Sequence, residues 1–314
     1  MQIIKTILES DYFAAKPPVL VDIGASGEIN PKWKAIAPYS ICIAFDADDR
    51  EFNVTEATNK HYKKLITFNR IVTAEGSNEQ ADFYLTTSPF CSSLLQPDEE
   101  KLACWAFRDL FKIDRVAKLH IITLSNALSQ TNINYIDWFK ADTQGTDLRL
   151  LSSLPEQIRS SILTVELEPG ILDAYKGEDK LYSVMQKMHN DLYWLSSMKI
   201  KGTQRFPSKY QHYIHSFIGK RTIRNSPGWA ELTYLKQPRV NSARELLLLY
   251  VFALLEKQYG FALEVADLGA QTYQHEIFSQ CREAVLKKIT TEKIKVPLVM
   301  AKRKFNKLFS SVND

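Results

Sequence analysis

Two short apolar runs, each ending in a polar turn, constrain the fold of this chain more than any other feature. The first run is Val19-Leu20-Val21-Asp22-Ile23, and it leads into the turn Gly24-Ala25-Ser26-Gly27. The second run is Ile41-Cys42-Ile43-Ala44-Phe45, and it ends at Asp46-Ala47-Asp48. Apolar runs without alternation indicate strands that helices cover on both faces. The two runs therefore predict neighbouring strands of a parallel sheet, at 20–23 and 41–45.

The polar turns after these strands predict a cofactor site. Gly24 and Gly27 have no Cβ, so the backbone there can approach a ligand closely. Asp46 follows at about 20 residues, the distance at which the acidic residue of a nucleotide-binding fold meets ribose hydroxyls. We therefore predict an adenosine-type cofactor across the first two strands. Its predicted contacts are Asp22, Gly24, Ala25, Ser26, Gly27, Asp46, Ala47 and, from a later strand, Asp142.

Apolar runs continue to alternate with helical patterns as far as residue 237. Further strands are predicted at 65–72, 81–85, 119–124, 136–140, 161–167, 192–198 and 230–235, and helices at 126–130, with Ser125 as N-cap, 146–154 and 181–191. This alternation indicates an α/β fold with a doubly wound sheet. Ligands of such sheets bind outside the carboxyl ends of the strands. The turns at 22–27, 46–48, 142–145 and 166–168 should therefore face one crevice.

The pattern changes at residue 238, where strand signals give way to amphipathic helices at 242–259, 273–289 and 299–309. We therefore predict two domains, a cofactor-binding domain at 1–237 and a C-terminal helical module at 238–314. The last segment is basic, with Lys302, Arg303, Lys304 and Lys307 among apolar residues. It is a candidate for peripheral contact with an anionic membrane. The alternatives are a solvated helix face and a surface for a homo-oligomer.

Composition narrows the compartment and the partners. The net charge of +4 is too small to indicate nucleic-acid binding, and none is predicted. The four cysteines form no C-x-x-C pair, which argues against a disulfide framework or a cysteine zinc site. The N-terminus has no signal-like stretch, and the longest apolar run, 246–255, is shorter than the roughly 20 residues of a membrane span. We predict a cytoplasmic protein.

The first turn distinguishes between two classes of cofactor. A nicotinamide-binding turn has the form Gly-x-Gly-x-x-Gly, but here Asp22 stands where the first glycine would be. The form Asp-x-Gly-x-x-Gly resembles that of class I methyltransferases, which use S-adenosylmethionine. That cofactor has no pyrophosphate, and a carboxylate such as Asp22 attracts its cationic groups. Asp46 would accept hydrogen bonds from both ribose hydroxyls. The alternative is that Asp22 and Gly24 form a plain strand-to-helix turn.

A longer motif extends this resemblance. The segment Ile136-Asp137-Trp138-Phe139-Lys140-Ala141-Asp142-Thr143-Gln144-Gly145-Thr146-Asp147-Leu148-Arg149-Leu150-Leu151 is similar to the hydrophobic-Lys-x-Asp-x-(Glu/Gln)-Gly signature of the FkbM-type methyltransferase family. Further pieces follow in that family's order, among them Ser92-Ser93-Leu94, Thr164-Val165-Glu166-Leu167 and Trp229-Ala230-Glu231. The resemblance covers about residues 18–236. It implies a class I, Rossmann-like fold and transfer of a methyl group to a hydroxyl, often on a sugar.

The predicted catalytic residues are Asp142, Glu166 and Glu168. One of these carboxylates, or a histidine, would act as base, or carboxylates from two strands would hold Mg²⁺, which lowers the pKa of a hydroxyl; no metal ligand is assigned. The structural alternatives are that Asp142 caps a helix and that Glu166 and Glu168 pair with Arg149 or Lys140. An aromatic insertion at 209–224, with His212 and His215, is a candidate for covering the acceptor. His189 is expected to be structural.

Two other functions stay open at the level of the sequence. Gln144 replaces the acidic residue usual in the family's motif, and Ser125 replaces an aspartate. These changes leave open a methyltransferase-fold protein that binds or scaffolds without turnover. A nicotinamide oxidoreductase is disfavoured by Asp22.

Overall fold

The computed structural model describes residues 2–25, 29–46, 61–76, 79–214, 222–239 and 242–310, with only the backbone of 208, 211, 214 and 294–310. The chain divides into two compact units. One is Ala15–Gln237, and the other combines Met1–Ala14 with Pro238–Asp314. The sequence analysis assigned the first fourteen residues to the cofactor-binding domain. They group instead with the C-terminal helices, because the first helix buries Ile4, Ile7 and Leu8 and contacts the last helix.

The described part of the larger unit contains ten strands. They are β1 (Val19–Ile23), β2 (Ile41–Phe45), β3 (Lys64–Phe68), β4 (Ile71–Thr73), β5 (Gln80–Thr86), β6 (Ile113–Thr123), β7 (Trp138–Ala141), β8 (Thr164–Leu167), β9 (Tyr193–Thr203) and β10 (Ser226–Lys236). Its helices are α2 (Glu99–Leu102), α3 (Leu124–Thr131), α4 (Asp147–Ser153), α5 (Glu156–Arg159) and α6 (Leu181–Asn190). The predicted α/β class is confirmed.

The main sheet has seven strands in the order β3-β2-β1-β7-β8-β10-β9. The first five are parallel, and β10 runs antiparallel to both of its neighbours, β8 and β9. The order reverses direction between β1 and β7, which is the point at which open α/β sheets bind ligands. The sheet is thus compatible with a Rossmann-like fold.

A core of apolar side chains holds these strands. All five residues of β1 are buried, as are four of the five in β2. Phe139 of β7 and Val165 of β8 continue this core and are completely buried. Burial on both sides of the sheet explains why these strands lack alternation in the sequence.

A second sheet differs from the sequence-based expectation. It has three strands in the order β4-β6-β5, with β4 parallel and β5 antiparallel to β6. The predicted strand at 65–72 is therefore two strands in different sheets. The polar pair Asn69-Arg70 separates the two parts, and each part pairs with a different sheet. The helix predicted at 126–130 begins at Leu124, because the Thr123 hydroxyl, and not that of Ser125, accepts a hydrogen bond from the Asn126 amide.

The smaller unit is helical. It contains α1 (Gln2–Leu8), α7 (Ala243–Leu255), α8 (Tyr259–Tyr273) and α9 (Glu276–Ser310). A capping box of Ser242 and Glu245 begins α7. The sequence analysis missed α8 and divided α9 into two helices. The side chains of 294–310, including the predicted basic surface, lie outside the described residues. Within the described part of the chain, none of the helices has the length and apolar character that crossing a bilayer requires.

Candidate functional site

The turns after β1 and β7 lie against one another at the carboxyl edge of the main sheet. Gly24 has a φ of +81°, and a Cβ added there would lie 2.2 Å from the Asp142 carbonyl oxygen. Only glycine fits at such a position, because both the backbone conformation and the space exclude a side chain. The Asp142 amide donates to the Ile23 carbonyl at 2.9 Å. Gly24 thus lets the two turns meet.

The amides of the β1 turn have a different role from the predicted one. The Gly24 and Ala25 amides both donate to the Phe45 carbonyl oxygen, at 2.9 and 3.0 Å. They join β1 to β2 and are engaged within the protein. Ser26, Gly27, Ala47 and Asp48, which the sequence analysis placed in the same turns, lie outside the described residues.

A cavity opens at this edge, beside the point where the strand order reverses. It encloses about 770 Å³, including the open space at its mouth. Gly24, Asp46 and Asp142 line it, as predicted from the turns. The rest of its wall comes from the end of β1, from β2, β4, β5 and the loops beside them, and from the turn after β7: Ile23, Phe45, Arg70, Ile71, Val72, Phe83, Pro89, Phe90, Ser92, Leu94, Thr143, Gln144 and Thr146.

Asp22 does not line this cavity. It is completely buried, and its two carboxylate oxygens accept from the Lys140 ammonium at 2.6 Å and the Asn30 amide at 3.0 Å. Burial lowers the pKa of Lys140, but the negative charges of Asp22 and Asp142 outweigh it and raise the pKa above its ordinary value. The pair is a charged link between β1 and β7 below the edge of the sheet.

Asp142 stands at the end of β7, and its neighbour Gln144 holds it. The Gln144 amide nitrogen donates to Asp142 Oδ1 at 2.6 Å. Burial raises the pKa of Asp142, although Lys140 and the Gln144 hydrogen bond lower it in part. The Tyr175 hydroxyl lies 3.3 Å from Gln144 Oε1 and donates to the Cys91 carbonyl at 2.8 Å. The sequence analysis considered Asp142 as a cap of the following helix, but it contacts Gln144 instead.

Ser93 and Asp147 also stabilise the turn after β7 through hydrogen bonds. The Ser93 hydroxyl donates to the Gln144 carbonyl at 2.9 Å. Asp147 accepts from the Thr143 amide at 2.9 Å and the Glu168 amide at 2.8 Å, which joins this turn to the one after β8. Burial raises the pKa of Asp147 to about 6. This bonding fixes the geometry of the cavity floor.

Glu166 lies within β8 and is engaged in structural contacts. Its carboxylate accepts from Asn30 Nδ2, Trp138 Nε1 and Lys32 Nζ, each at 2.9 Å. The sequence analysis considered ion pairs with Arg149 or Lys140, and Lys32 is the partner here. Arg149 pairs with Asp179. Glu166 lines neither of the two cavities at the edge of the sheet.

Glu168 has left the strand and faces a second cavity. This cavity encloses about 380 Å³, including its mouth, and shares Gln144 with the first one. Burial raises the pKa of Glu168 to about 9, and the negative charges of Asp142, Asp147 and Glu231 add to the rise. A carboxyl group with such a pKa is a candidate for a general acid or base.

The remaining predicted residues lie elsewhere. His189 is exposed near the end of α6, and His212 is exposed beside Tyr213. His215 and 216–221 lie outside the described residues. The part of the chain that is described contains no group of three or more metal-ligating side chains. The Mg²⁺ site stays a prediction without geometric support.

The sequence analysis missed most of the cavity walls. Arg70, Phe83 and Phe90 come from the segments around the second sheet, and Phe107, Tyr175 and Trp229 come from distant loops and from β10. Apart from Ser92-Ser93-Leu94 and Trp229, which the family resemblance singled out, no local pattern marks these residues. Their positions depend on how the loops return to the carboxyl edge.

The chain was compared with known proteins. No protein-family model matches it, and no curated protein matches it significantly. Among solved structures, it is similar to a protein of Listeria monocytogenes serotype 4b described as uncharacterized, with 9% sequence identity. The similarity covers 92% of this chain and 96% of that chain, with a TM-score of 0.30. At this TM-score it carries no argument about function.

Proposed function

We propose that this protein is an S-adenosylmethionine-dependent methyltransferase of class I fold that methylates a hydroxyl of a sugar or a related polar acceptor. One observation carries the proposal. Asp46, at the end of β2, lines the same cavity as Gly24 and Asp142, at the point where the strand order reverses. That is where an acidic side chain meets the ribose of a nucleoside cofactor.

The walls of the first cavity fit an adenosine. Phe45, Ile71, Val72 and Phe83 supply an apolar lining for a flat base, and the Asp46 carboxylate can accept from both ribose hydroxyls. Gly24 keeps the floor free of a side chain. These features suit the adenosine part of S-adenosylmethionine, which supplies a methyl group on a sulfonium.

A dinucleotide fits less well. A pyrophosphate binds at the N-terminus of the helix that follows the first strand. The described residues between β1 and β2 form two short 3-10 helices, Pro31–Ala35 and Ala37–Tyr39. The Gly24 and Ala25 amides already donate to Phe45. These two amides are therefore engaged within the protein instead of facing a phosphate, which favours the methyl donor.

The residues around the cavities have distinct tasks in the proposed reaction. Asp142, held by Gln144, contributes negative charge near the cationic end of the donor. In its deprotonated form Glu168 takes the proton from the acceptor hydroxyl, and its raised pKa makes that form a stronger base than an ordinary carboxylate. The rest of the contribution is positioning, because an in-line displacement requires the acceptor close to the methyl group.

Isothermal titration with S-adenosylmethionine and S-adenosylhomocysteine tests the proposal. We expect both to bind wild type, and Asp46→Ala to bind at least about tenfold more weakly, since hydrogen bonds to a charged group contribute about 1.5–3 kcal/mol. Asp114→Ala, which removes an exposed carboxylate on β6, should bind as wild type does. Absence of binding by wild type, or unchanged binding by Asp46→Ala, would contradict the proposal.

A further inference from the structure

The second cavity has aromatic walls. Phe107 and Trp229 lie nearly parallel, with ring centroids 6.2 Å apart and an interplanar angle of 8°. Phe111 contacts Tyr175 edge-on at 5.5 Å. Trp229 is only half-buried, so part of its ring is open to a ligand. Such walls favour ligands with a flat apolar face, which stacks on an aromatic ring.

Two glycines keep this cavity open. Gly170 faces the Glu178 carboxylate, which a Cβ would meet at 2.5 Å. Gly228 faces Leu172, with 3.3 Å between an added Cβ and the Leu172 side chain. Both positions lie beside the end of β8 and the start of β10. At these two positions the backbone itself lines the cavity and lies close to the neighbouring side chains.

The polar groups of this cavity are acidic. Glu178 is engaged by the Lys180 ammonium at 2.7 Å and the Ala174 amide at 2.7 Å. Among the described residues no cation forms an ion pair with Glu168; Lys140 and Lys201 act on it through space, as do the negative charges of Asp142 and Glu231. Among the described residues that line the cavity there is no lysine, arginine or histidine. An anionic group brought into this space would lose its hydration and find no cation among these lining residues to pair with, which is costly.

From these features we propose that the second cavity is the acceptor site, and that it accepts an uncharged hydroxyl-bearing ring such as a pyranose and rejects an anionic one. The apolar face of the ring stacks on Trp229, and Glu168 contacts the hydroxyl. Gln144, which lines both cavities, then lies between acceptor and donor. The acceptor role rests on the methyltransferase proposed above, whereas the preference for an uncharged ring rests on the cavity alone.

Two glycosides that differ only in charge test the proposal. The probes are 4-nitrophenyl β-D-glucopyranoside and 4-nitrophenyl β-D-glucuronide, titrated by saturation-transfer NMR with and without S-adenosylhomocysteine. We expect the glucopyranoside to bind wild type at least about tenfold more tightly, which corresponds to about 1.4 kcal/mol. Raising the pH from 7 to 10 should increase this ratio for wild type at least about threefold, because Glu168 then loses its proton, and should leave the ratio unchanged in Glu168→Gln. The control Glu99→Gln, on an exposed helix residue, should keep the wild-type ratio.

Aromatic variants locate the binding. Trp229→Ala should weaken the glucopyranoside about tenfold, because stacking on an aromatic ring is lost. Tyr182→Ala removes a ring that is 74% exposed on α6 and should change nothing. Circular dichroism checks that each variant is folded, and if Glu168→Gln is not, the wild-type comparison of the two probes still tests the charge preference.

The outcomes separate this proposal from the proposed function. Failure of wild type to bind the glucopyranoside, equal or tighter binding of the glucuronide, or an unchanged affinity in Trp229→Ala would overturn the acceptor site. If the glucopyranoside binds as expected while S-adenosylhomocysteine does not bind at all, the cavity is a sugar site and the methyltransferase proposal fails instead.

Discussion

The Lys140 ammonium lies 2.6 Å from the carboxylate of Asp22, which is completely buried, and the two residues are direct partners across the parallel strands β7 and β1. The pair joins β1, which leads into the turn at Gly24, to β7, which is followed directly by Asp142. We infer that it is a structural link on which the geometry of the cavity depends.

Removing the cation of this pair should lower stability strongly. In Lys140→Met the Asp22 charge stays buried without its partner, which costs about 3–5 kcal/mol of the free energy of unfolding. Urea denaturation at pH 7 measures this cost. The matched control is Lys118→Met, which breaks the exposed pair with Asp82 and should cost about 0–1 kcal/mol. A loss in Lys140→Met no larger than in the control would contradict the structural role.

Gly24 and Gly177 separate the effect of space from that of backbone conformation. Both have positive φ, at +81° and +70°, but a Cβ at Gly177 would meet nothing within 4 Å. Gly177→Ala should therefore lower the free energy of unfolding only by the cost of placing alanine in a left-handed backbone conformation, about 1–2 kcal/mol. Gly24→Ala should cost more and should weaken S-adenosylhomocysteine at least tenfold, because the Asp142 carbonyl must move. Thermal unfolding and titration measure both, and equal effects of the two substitutions would refute the steric argument.

Glu168 should make stability depend on pH. Its ordinary pKa is 4.5, and in the folded state burial raises it to about 9. The folded protein therefore keeps a proton that the unfolded chain loses, so stability is full below about pH 4.5 and falls as the pH rises towards 9, by up to about 1.4 kcal/mol per unit. The groups that act on it are Asp142, Asp147 and Glu231, which raise its pKa, and Lys140, which lowers it.

Urea denaturation of Glu168→Gln at pH 5, 7 and 9 checks this dependence. In the variant, the free energy of unfolding should no longer fall with rising pH to the extent that Glu168 causes. The variant should therefore be more stable than wild type at pH 9. Glu99→Gln, which changes an exposed side chain, should follow the wild-type curve. If Glu168→Gln declines as steeply as wild type, the raised pKa is refuted.

Glu166 should behave as a structural residue. Glu166→Ala leaves Trp138 Nε1, Asn30 Nδ2 and Lys32 Nζ without their shared acceptor, so it should lower the free energy of unfolding by about 1–3 kcal/mol. The affinity for S-adenosylhomocysteine should stay within about twofold of wild type. Asp46→Ala is the complementary control, because it should weaken binding instead. A loss of affinity in Glu166→Ala comparable to that in Asp46→Ala would assign Glu166 to the cofactor site.

Two glycines of α8 give a matched pair in the helical unit. A Cβ at Gly269 would lie 2.2 Å from the Phe278 ring, whereas one at Gly260 would meet nothing within 4 Å. Gly269→Ala should therefore destabilise the protein by about 1–3 kcal/mol through overpacking. Gly260→Ala should stabilise it by up to about 1 kcal/mol, because alanine is the better helix former. Thermal unfolding distinguishes the two, and stabilisation by both would show that Phe278 moves aside at no cost.

The sequence determined most of the main sheet. The strand at 41–45 has the predicted bounds, and β1 differs by one residue, because strands buried on both faces are apolar along their whole length and end where a polar turn begins. The same turns predicted that Gly24, Asp46 and Asp142 would meet, since parallel strands bring their carboxyl ends to one edge. Both results depend on local residue patterns.

Other features depended on packing between distant segments. The segment at 65–72 was predicted as one strand but forms two strands in different sheets, which meet different partners on either side of Asn69-Arg70. The capping of α3 by Thr123 and the continuity of α9 also differ from expectation. Part of the aromatic walls, including Phe90, Phe107 and Tyr175, comes from segments outside the strands, whose sequences carry no signal of where they return.

Glu166 and Glu168 show most clearly where sequence reasoning ends. They are two residues apart, and along an extended strand they would share a face. The strand ends at Leu167, so Glu166 stays within the sheet among Asn30, Lys32 and Trp138, while Glu168 passes beyond the edge into a cavity. The sequence by itself determined that acidic residues stand at the carboxyl end of this strand. Only the tertiary structure decided which one is engaged and which one is open to a ligand, because that depends on where the chain leaves the sheet and which distant side chains surround it.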